Sequence, residues 1–198
     1  MKTIVSLFDH SGNWPKYYKE NGYSVFSLDL KHGFDVLELT ADDFPDQVYG
    51  IMAAPPCTDF SGSGAQYWPA KDADGRTAAS LALVDKVLEL VEYLEPTFWV
   101  LENPVGRLTK LRPQLGNPWF FQPHQFAGYC STTEQQAHER YTKKTGLYGY
   151  FNKPILKDLG NDPSNQWIMR LGGKSERTKE LRSVTPLGFA KAFYEANK

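Results

Sequence analysis

The chain has 198 residues, of which 41% are hydrophobic and 23% are charged. This balance is typical of a single globular domain with a hydrophobic core, and it excludes disordered and fibrous proteins. No apolar run approaches the roughly 18 residues that a membrane span requires, so we expect no membrane partner. Two cysteines and four scattered histidines make neither a disulfide framework nor a zinc-type cluster, so we expect a cytoplasmic protein without a metal.

The net charge of −1 conceals an uneven distribution. Residues 1–102 contain 7 Lys or Arg against 16 Asp or Glu, whereas residues 103–182 contain 13 against 6. Aromatic residues are interleaved with the cations of this second stretch. Such a pattern favours a surface that faces a polyanion, although a solvated basic face has the same composition.

The first half of the chain alternates predicted strands with predicted helices. The predicted strands are Thr3–Phe8, Tyr23–Leu28, Val48–Ala54 and Phe98–Leu101. The predicted helices are Trp14–Glu20, Thr77–Leu94 and Pro186–Asn197. This alternation predicts an α/β fold with a doubly wound sheet in a single domain, where ligands bind at the carboxyl ends of the strands. Prolines and glycines weaken the pattern over residues 104–130 and 146–173.

Three predicted strand ends carry residues suited to chemistry. After the first strand, Phe8-Asp9-His10-Ser11-Gly12 predicts a tight turn before a helix, where backbone N–H groups attract a negative group. Asp29 ends the next strand, where an acid accepts the hydroxyl groups of a ribose. A plain turn with a capping acid has the same sequence pattern.

The third strand is followed by Pro55-Pro56-Cys57-Thr58-Asp59-Phe60-Ser61. The prolines stiffen the loop and present one cysteine at the sheet edge, where a fixed thiolate could act as a nucleophile. A small buried core cysteine is the alternative. The last of the four strands is followed by Glu102, whose carboxyl group could hold or deliver a proton if its neighbours desolvate it. A solvated acid at a strand end is the alternative there.

Together these segments resemble the cytosine-5 methyltransferases, in that family's order along the chain. Pro56-Cys57 with Phe60-Ser61 matches the family's Pro-Cys-x-x-Phe-Ser loop, and Glu102-Asn103 matches its Glu-Asn pair. Phe8–Gly12 is similar to the first cofactor motif, with His10 in place of a usual glycine. Asp29-Leu30 and Asp35-Val36 are similar to two further cofactor pairs, but the helix that normally separates them is missing.

The resemblance implies a Rossmann-like fold that binds S-adenosylmethionine and methylates carbon 5 of cytosine in DNA. It assigns Cys57 as the nucleophile and Glu102 as the second catalytic residue. The implied cofactor residues are Phe8, Asp9, Ser11, Gly12, Asp29, Leu30, Asp35, Val36 and Pro56. The implied substrate side comprises Ser61, Asn103 and Lys144, with Asn103 expected to fix the nucleophile loop. A bacterial or viral setting would suit such a protein.

The resemblance fades after about residue 115. Residues 1–130 would form the cofactor and catalytic core, 131–184 a basic segment for minimal substrate recognition, and 185–198 the closing helix. Because 149–184 is too short for the family's recognition domain, we expect a short or relaxed target site. The oligomeric state is open.

Other functions stay open on the sequence alone. The same chemistry could act on RNA or on a free cytidine nucleotide, and a non-catalytic nucleotide- or DNA-binding module could retain the fold. A cysteine hydrolase would need His10 or His124 as its base, and no spacing supports that.

Overall fold

The computed structural model describes residues 1–171 and 175–198. Lys174, one of the basic residues counted above, lies outside this part of the chain together with Gly172 and Gly173. Six strands form one sheet in the order β2-β1-β3-β4-β6-β5. They are β1 (Thr3–Leu7), β2 (Ser24–Leu28), β3 (Gly50–Ala53), β4 (Phe98–Pro104), β5 (Trp119–Phe121) and β6 (Thr145–Tyr150).

Strands β1 to β4 are parallel, and β6 adds to β4 in the antiparallel direction. The chain first moves from β1 outward to β2 and then crosses back to β3 and β4 on the other side of β1. This reversal is the topological switch point of a doubly wound sheet, and it places a binding crevice beyond the carboxyl ends of β1 and β3. The predicted Rossmann-like α/β fold class is confirmed.

The described helices range from 4 to 19 residues in length. They are α1 (Lys16–Glu20), α2 (Trp68–Ala73), α3 (Arg76–Leu94), α4 (Leu108–Leu111), α5 (Thr133–His138), α6 (Trp167–Arg170), α7 (Glu176–Ser183) and α8 (Leu187–Asn197). Helix α3 buries Val84, Val87 and Leu90 completely in the main core. Alternate residues of the strands, such as Val5 and Ile51, belong to the same core, as expected for side chains on one sheet face.

Strand β4 is longer than the sequence predicted. We expected it to end at Leu101, but it continues through Glu102 and Asn103 to Pro104. The extension pairs with β6, with Glu102 opposite Leu147 and Asn103 opposite Gly146. The local sequence could not show this, because the partner strand comes about forty residues later. Pro104 is tolerated because the pairing of β4 with β3 ends at Leu101, so this part of the strand is paired on one side only.

The chain divides into two compact units. The first unit contains Met1–Phe120 and Thr145–Phe151, and the second contains Phe121–Lys144 and Asn152–Lys198. The second unit has its own aromatic core, in which Phe121 stacks on Phe189 at 4.1 Å between ring centroids and Phe126 lies edge-on to both. The predicted single domain and its internal boundaries stay predictions.

Among residues 1–171 and 175–198, no helix combines the length and the apolar character needed to cross a membrane.

Candidate active site

The turn after β1 is organised by a buried carboxylate. Asp9 Oδ1 accepts hydrogen bonds from Ser11 Oγ at 2.7 Å and from Gly12 N–H at 2.9 Å, and Ser6 Oγ donates to Oδ2 at 3.2 Å. Phe8 and Gly12 have φ angles of +61° and +66°. Positive φ is costly for phenylalanine and free for glycine, so the turn has a fixed and partly strained shape. Asp9 is therefore occupied with shaping the turn.

Two further carboxylates follow β2. Asp29 and Asp35 are half-buried, and each accepts one backbone hydrogen bond at 2.9 Å through Oδ1, from Lys31 and Leu37 respectively. Both begin a 3-10 turn, so the α-helix that the resemblance places between them is replaced by residues 30–32. A carboxylate accepts up to about four hydrogen bonds, so each retains capacity for a ligand.

Apolar side chains around these carboxylates divide into exposed and buried ones. Leu30, Phe34 and Leu37 are 74%, 46% and 44% exposed, whereas Val36 is only 3% exposed and packs into the main core. The exposed members suit the flat face of an adenine. The Val36 side chain is used for packing, which leaves mainly its backbone for the cofactor contact that the resemblance assigns to it.

The carboxyl edge of β1 and β2 fits an adenosine cofactor. Phe8 N–H donates to Leu28 O at 2.8 Å, which joins the β1 turn directly to the end of β2 beside Asp29. A side-chain carbon built on Gly12 meets no atom within 4 Å, so there is open space against the turn. A carboxylate with free acceptor capacity, apolar surface and open glycine backbone thus lie along adjoining strand ends.

The loop after β3 holds Cys57 at the surface. Pro55 is buried and Pro56 exposed, while Cys57 is half-buried. The Cys57 carbonyl accepts hydrogen bonds from Phe60 N–H at 3.0 Å and Ser61 N–H at 2.9 Å, which closes a tight turn. Cys57 is therefore not a core residue, and its backbone is fixed on both sides.

Glu102 lies just beyond the parallel part of the sheet. The pairing of β3 with β4 ends at Ala53 and Leu101, so Glu102 stands level with the start of the Cys57 loop. It is half-buried. The next residue, Asn103, is fully buried, and within the described part of the chain its Nδ2 and Oδ1 have no hydrogen-bond partner. The expectation that Asn103 fixes the Cys57 loop stays a prediction, and no side-chain hydrogen bond of Asn103 to a described residue supports it.

The Cys57 loop and the exit of β4 are instead joined through their backbones. Gly62 N–H donates to Val105 O and Arg107 N–H donates to Phe60 O, both at 2.9 Å. These bonds flank a bridge between Ser61 and Gly106. A side-chain carbon on Gly106 would lie 1.9 Å from Phe60 O, so only glycine permits this approach. The two segments that carry Cys57 and Glu102 form one connected structure.

A buried ion pair lies two residues beyond Cys57. Asp59 Oδ1 is 3.0 Å from Lys71 Nζ, and Ser80 Oγ donates to Asp59 Oδ2 at 2.6 Å. Burial by itself would raise the pKa of Asp59, but the hydrogen bonds from Ser80 and Lys71 and the nearby cations outweigh it and lower the pKa. Asp59 is thus a carboxylate, held from two sides.

A second network surrounds Arg107. Its guanidinium makes two hydrogen bonds to Asp72, at 2.8 and 2.7 Å, and one to Thr77 Oγ1 at 2.8 Å. Arg107 Nε donates to Asp59 O at 3.1 Å, and the group lies over the Trp68 ring. The Arg107 hydrogen bond lowers the pKa of Asp72 to about 2. The sequence did not predict these partners, since an ion pair between residues 35 positions apart leaves no local pattern.

Of the remaining predicted residues, Ser61 lies at the bridge described above, with its Oγ 3.0 Å from Ser63 Oγ. Lys144 is exposed and belongs to the second unit.

Comparison with known proteins matches residues 13–129 to the model of one family, described as C-5 cytosine-specific DNA methylase. The chain belongs to this family. The family and the enzyme class that the sequence predicted are both confirmed. The match includes Asp29, Asp35, Cys57 and Glu102, whereas the Phe8–Gly12 turn lies outside it.

A probable DNA (cytosine-5)-methyltransferase of Frog virus 3 (isolate Goorha) is 28% identical to the chain over 209 residues. The alignment covers 92% of this chain and 94% of the viral protein. The chain is thus similar to this relative along nearly the whole length of both proteins.

Two solved structures are similar in outline. One is a putative DNA modification methyltransferase encoded within a prophage of E. coli, with 16% identity, a TM-score of 0.46 and coverage of 89% of this chain. The other is the Entamoeba histolytica methyltransferase EhMeth, with 10% identity, a TM-score of 0.49 and coverage of 88%. This chain spans only 56% of the length of the first of these proteins and 61% of the second.

Proposed function

We propose that this chain transfers a methyl group from S-adenosylmethionine to carbon 5 of cytosine in DNA, through a covalent adduct at Cys57. The observation that carries the proposal is that the segments bearing Cys57 and Glu102 are joined to each other. The Cys57 loop and the strand that bears Glu102 leave neighbouring parallel strands at the same edge and are tied by backbone hydrogen bonds. A nucleophile and a carboxyl group held on one frame suit a reaction at a single base.

The residues at the ends of β1 and β2 fit the cofactor. Asp29 would accept the ribose hydroxyls, Leu30 would cover the adenine, and Asp35 with the Val36 backbone would bind its amino group. Phe8, Ser11 and Gly12 would line the side of the methionine part, with Asp9 shaping the turn and Pro56 closing the opposite side. Bound S-adenosylmethionine supplies an electrophilic methyl group.

Carbon 5 of cytosine is a poor nucleophile, and the Cys57 thiolate would activate it by adding to carbon 6. The Glu102 carboxyl group would donate a hydrogen bond to ring nitrogen 3 and accept one from the exocyclic amine, which stabilises the negative charge that develops on the ring during addition. After carbon 5 has gained the methyl group, a base removes its proton. The electrons of that C–H bond restore the double bond and expel Cys57 as thiolate.

We propose DNA as the substrate; in a duplex, the target base would have to be flipped out of the stack to reach such a site. The basic second unit would contact phosphates, with Lys144 among its cations. Few residues remain for reading base edges, so we propose a short or relaxed target site. RNA or a free cytidine nucleotide is the alternative substrate that the missing recognition domain favours. A reducing cytoplasmic setting would preserve the thiol.

The test is incubation of the protein with tritiated S-adenosylmethionine and, separately, duplex DNA, single-stranded DNA, RNA and cytidine nucleotides. Nucleoside analysis of the product should show labelled 5-methylcytosine from duplex DNA. Label in RNA or nucleotide alone would transfer the proposal to the alternative substrate. No label in any arm, with heat showing that the cofactor binds, would indicate a binding module instead.

A further inference from the structure

The site described above contains a nucleophile on a loop, and loops hold side chains less rigidly than strands do. A displacement of about 1 Å in a reacting group can cost on the order of a hundredfold in rate. The Cys57 loop therefore needs support from outside itself. Asn103, the residue expected to supply it, makes no hydrogen bond to any described residue through its side chain.

Helix α2 supplies that support through Lys71. Its ammonium group donates to Thr58 O at 2.5 Å and lies 3.0 Å from Asp59 Oδ1, so it contacts the two residues that directly follow Cys57. The Lys71 and Asp59 side chains are only 12% and 11% exposed. A pair so shielded from water is screened weakly by salt and holds its geometry better than a surface pair.

The next residue of α2 reaches the other catalytic segment. Asp72 binds the Arg107 guanidinium, and Arg107 follows the β4 strand that bears Glu102. Arg107 also returns to the nucleophile loop through its bond to Asp59 O. Two consecutive residues of one helix thus hold the loop of Cys57 and the exit of the Glu102 strand, and so set the distance between them.

We propose that Lys71 is a positioning residue for Cys57: by joining Thr58 O to the Asp59 carboxylate, it holds the nucleophile loop in its reactive geometry. This inference rests on the proposed function. Loss of the ammonium group removes the ion pair and leaves only the Ser80 hydroxyl and the more distant charge of Arg76 to stabilise the buried Asp59 carboxylate. It also leaves Thr58 O without its cation. The loop then relaxes, while the cofactor residues on β1 and β2 keep their contacts.

Lys86 offers a matched control. Its ammonium group also joins a backbone carbonyl, Leu39 O at 3.2 Å, to a carboxylate, Glu89 Oε1 at 2.7 Å, and its side chain is 15% exposed. It lies on α3, in the same compact unit, but it holds no part of the Cys57 loop. Lys86→Met therefore removes the same chemical group without touching the nucleophile.

The experiment uses the full chain with duplex DNA containing 5-fluorocytosine and S-adenosylmethionine, and it measures the single-turnover rate of covalent protein–DNA adduct formation. Lys71→Met should lower this rate at saturating DNA and cofactor by tenfold or more. The concentrations of DNA and of S-adenosylmethionine that give half of the maximal rate should each change less than threefold. Lys86→Met should form the adduct within twofold of the wild-type rate. If Lys71→Met does not fold, Asp59→Asn replaces it, because the amide keeps the shape and the Ser80 contact while the ion pair is lost; a rate loss of at least threefold is expected.

The failure modes are distinct. Wild-type adduct formation that disappears in Cys57→Ser, together with a Lys71→Met rate within twofold of wild type, would overturn the positioning role and leave the proposed function intact. Equal rate losses in Lys71→Met and Lys86→Met would show a general loss of stability and would also overturn it. Failure of the wild-type protein to form an adduct would overturn the proposed function, and the inference with it.

Discussion

The two cysteines of the chain lie in opposite chemical settings, one in each compact unit. Cys57 is half-buried on a proline-stiffened loop of the first unit, with its carbonyl fixed by two backbone bonds. Cys130 is 5% exposed in the second unit, where burial, together with the charge of Glu139 and a hydrogen bond to it, raises its pKa to about 12. A reactive thiolate requires access and a stabilised charge, so only the first setting suits a nucleophile.

Their neighbouring carboxylates differ in the same way. Asp59, near Cys57, is held by Lys71 and a hydroxyl, and its pKa is lowered. Burial raises the pKa of Glu139, although the N–H groups of Leu187 and Gly188 and the Cys130 thiol donate to it. The first arrangement connects a loop to a helix and fixes a position, whereas the second caps the start of α8 within a core. The cysteine and carboxylate of the first unit thus lie in a setting that suits chemistry, whereas those of the second unit are used for packing.

Exchange of each cysteine for serine should give the largest difference between the units. With 5-fluorocytosine in the DNA, the fluorine on carbon 5 cannot leave as a cation, so the enzyme should stay attached through Cys57. Cys57→Ser should abolish the adduct and the turnover, whereas Cys130→Ser should retain both. Denaturing electrophoresis of labelled DNA measures the adduct.

Alkylation provides the control for this comparison. Iodoacetamide at pH 8 should label Cys57 and leave Cys130 unlabelled in the folded protein, since a thiol with a pKa of about 12 is almost wholly protonated there. Wild-type turnover in Cys57→Ser would contradict the assignment of the nucleophile.

Substitution of Glu102 should have the next largest effect. Glu102→Gln keeps the shape but removes the acidic proton that would stabilise the negative charge developing on the ring, so the turnover number should fall by about two orders of magnitude or more. Affinity for S-adenosylhomocysteine should stay within twofold, as measured by calorimetry. If Glu102→Gln loses cofactor affinity and turnover together, Glu102 has a structural role and not a catalytic one.

The sequence predicts the elements of the first unit better than those of the second. Strands β1 to β3 and helices α3 and α8 follow from local apolar patterns, and the Cys57 and Glu102 segments from short motifs. The extension of β4 and the Lys71 and Arg107 networks depend on partners far along the chain, so no local pattern contains them. In the second unit, α5 to α7 are too short to show a clear apolar periodicity, and their positions depend on packing. Asn103 illustrates the limit: its motif predicts a role, but the motif does not show that its buried side chain has no hydrogen-bond partner among the described residues.

Asp29→Ala should weaken binding of S-adenosylhomocysteine by about 1–3 kcal/mol through the loss of charge-assisted hydrogen bonds to the ribose. Binding of the wild-type protein should be micromolar, on the order of −7 to −8 kcal/mol. Calorimetry measures both. Asp46→Ala, on the exposed segment before β3, is the control and should bind normally. Equal affinity in Asp29→Ala and wild type would remove Asp29 from the cofactor site.

The basic residues of the second unit should affect binding of DNA in a salt-dependent way. Each phosphate contact contributes roughly 0.9 to the slope of log affinity against log salt concentration. Lys144→Gln and Lys153→Gln, both at exposed positions, should each reduce that slope by about 0.9 for non-cognate duplex DNA. Lys19→Gln, at an exposed position of α1 in the acidic half, should leave it unchanged. If the slope changes in Lys19→Gln but not in Lys144→Gln or Lys153→Gln, the prediction that the second unit contacts the phosphates is wrong.

The last prediction concerns the length of the DNA target site, and it is the most sensitive test of the difference between the two units. Each good bidentate contact to a base edge gives about 1–3 kcal/mol of discrimination, and such contacts require several side chains on a rigid element placed in the major groove. Between β6 and α8, the described residues 151–171 and 175–186 contain only the short helices α6 and α7. Cations are frequent there, so attraction to phosphates survives while base-specific contacts are few. Bisulfite sequencing of DNA from expressing cells should therefore show methylation at motifs of about two to four bases, or diffuse methylation in loose contexts. A strict six-base palindrome would contradict this, because it would require a reading surface that the second unit does not offer in its described residues.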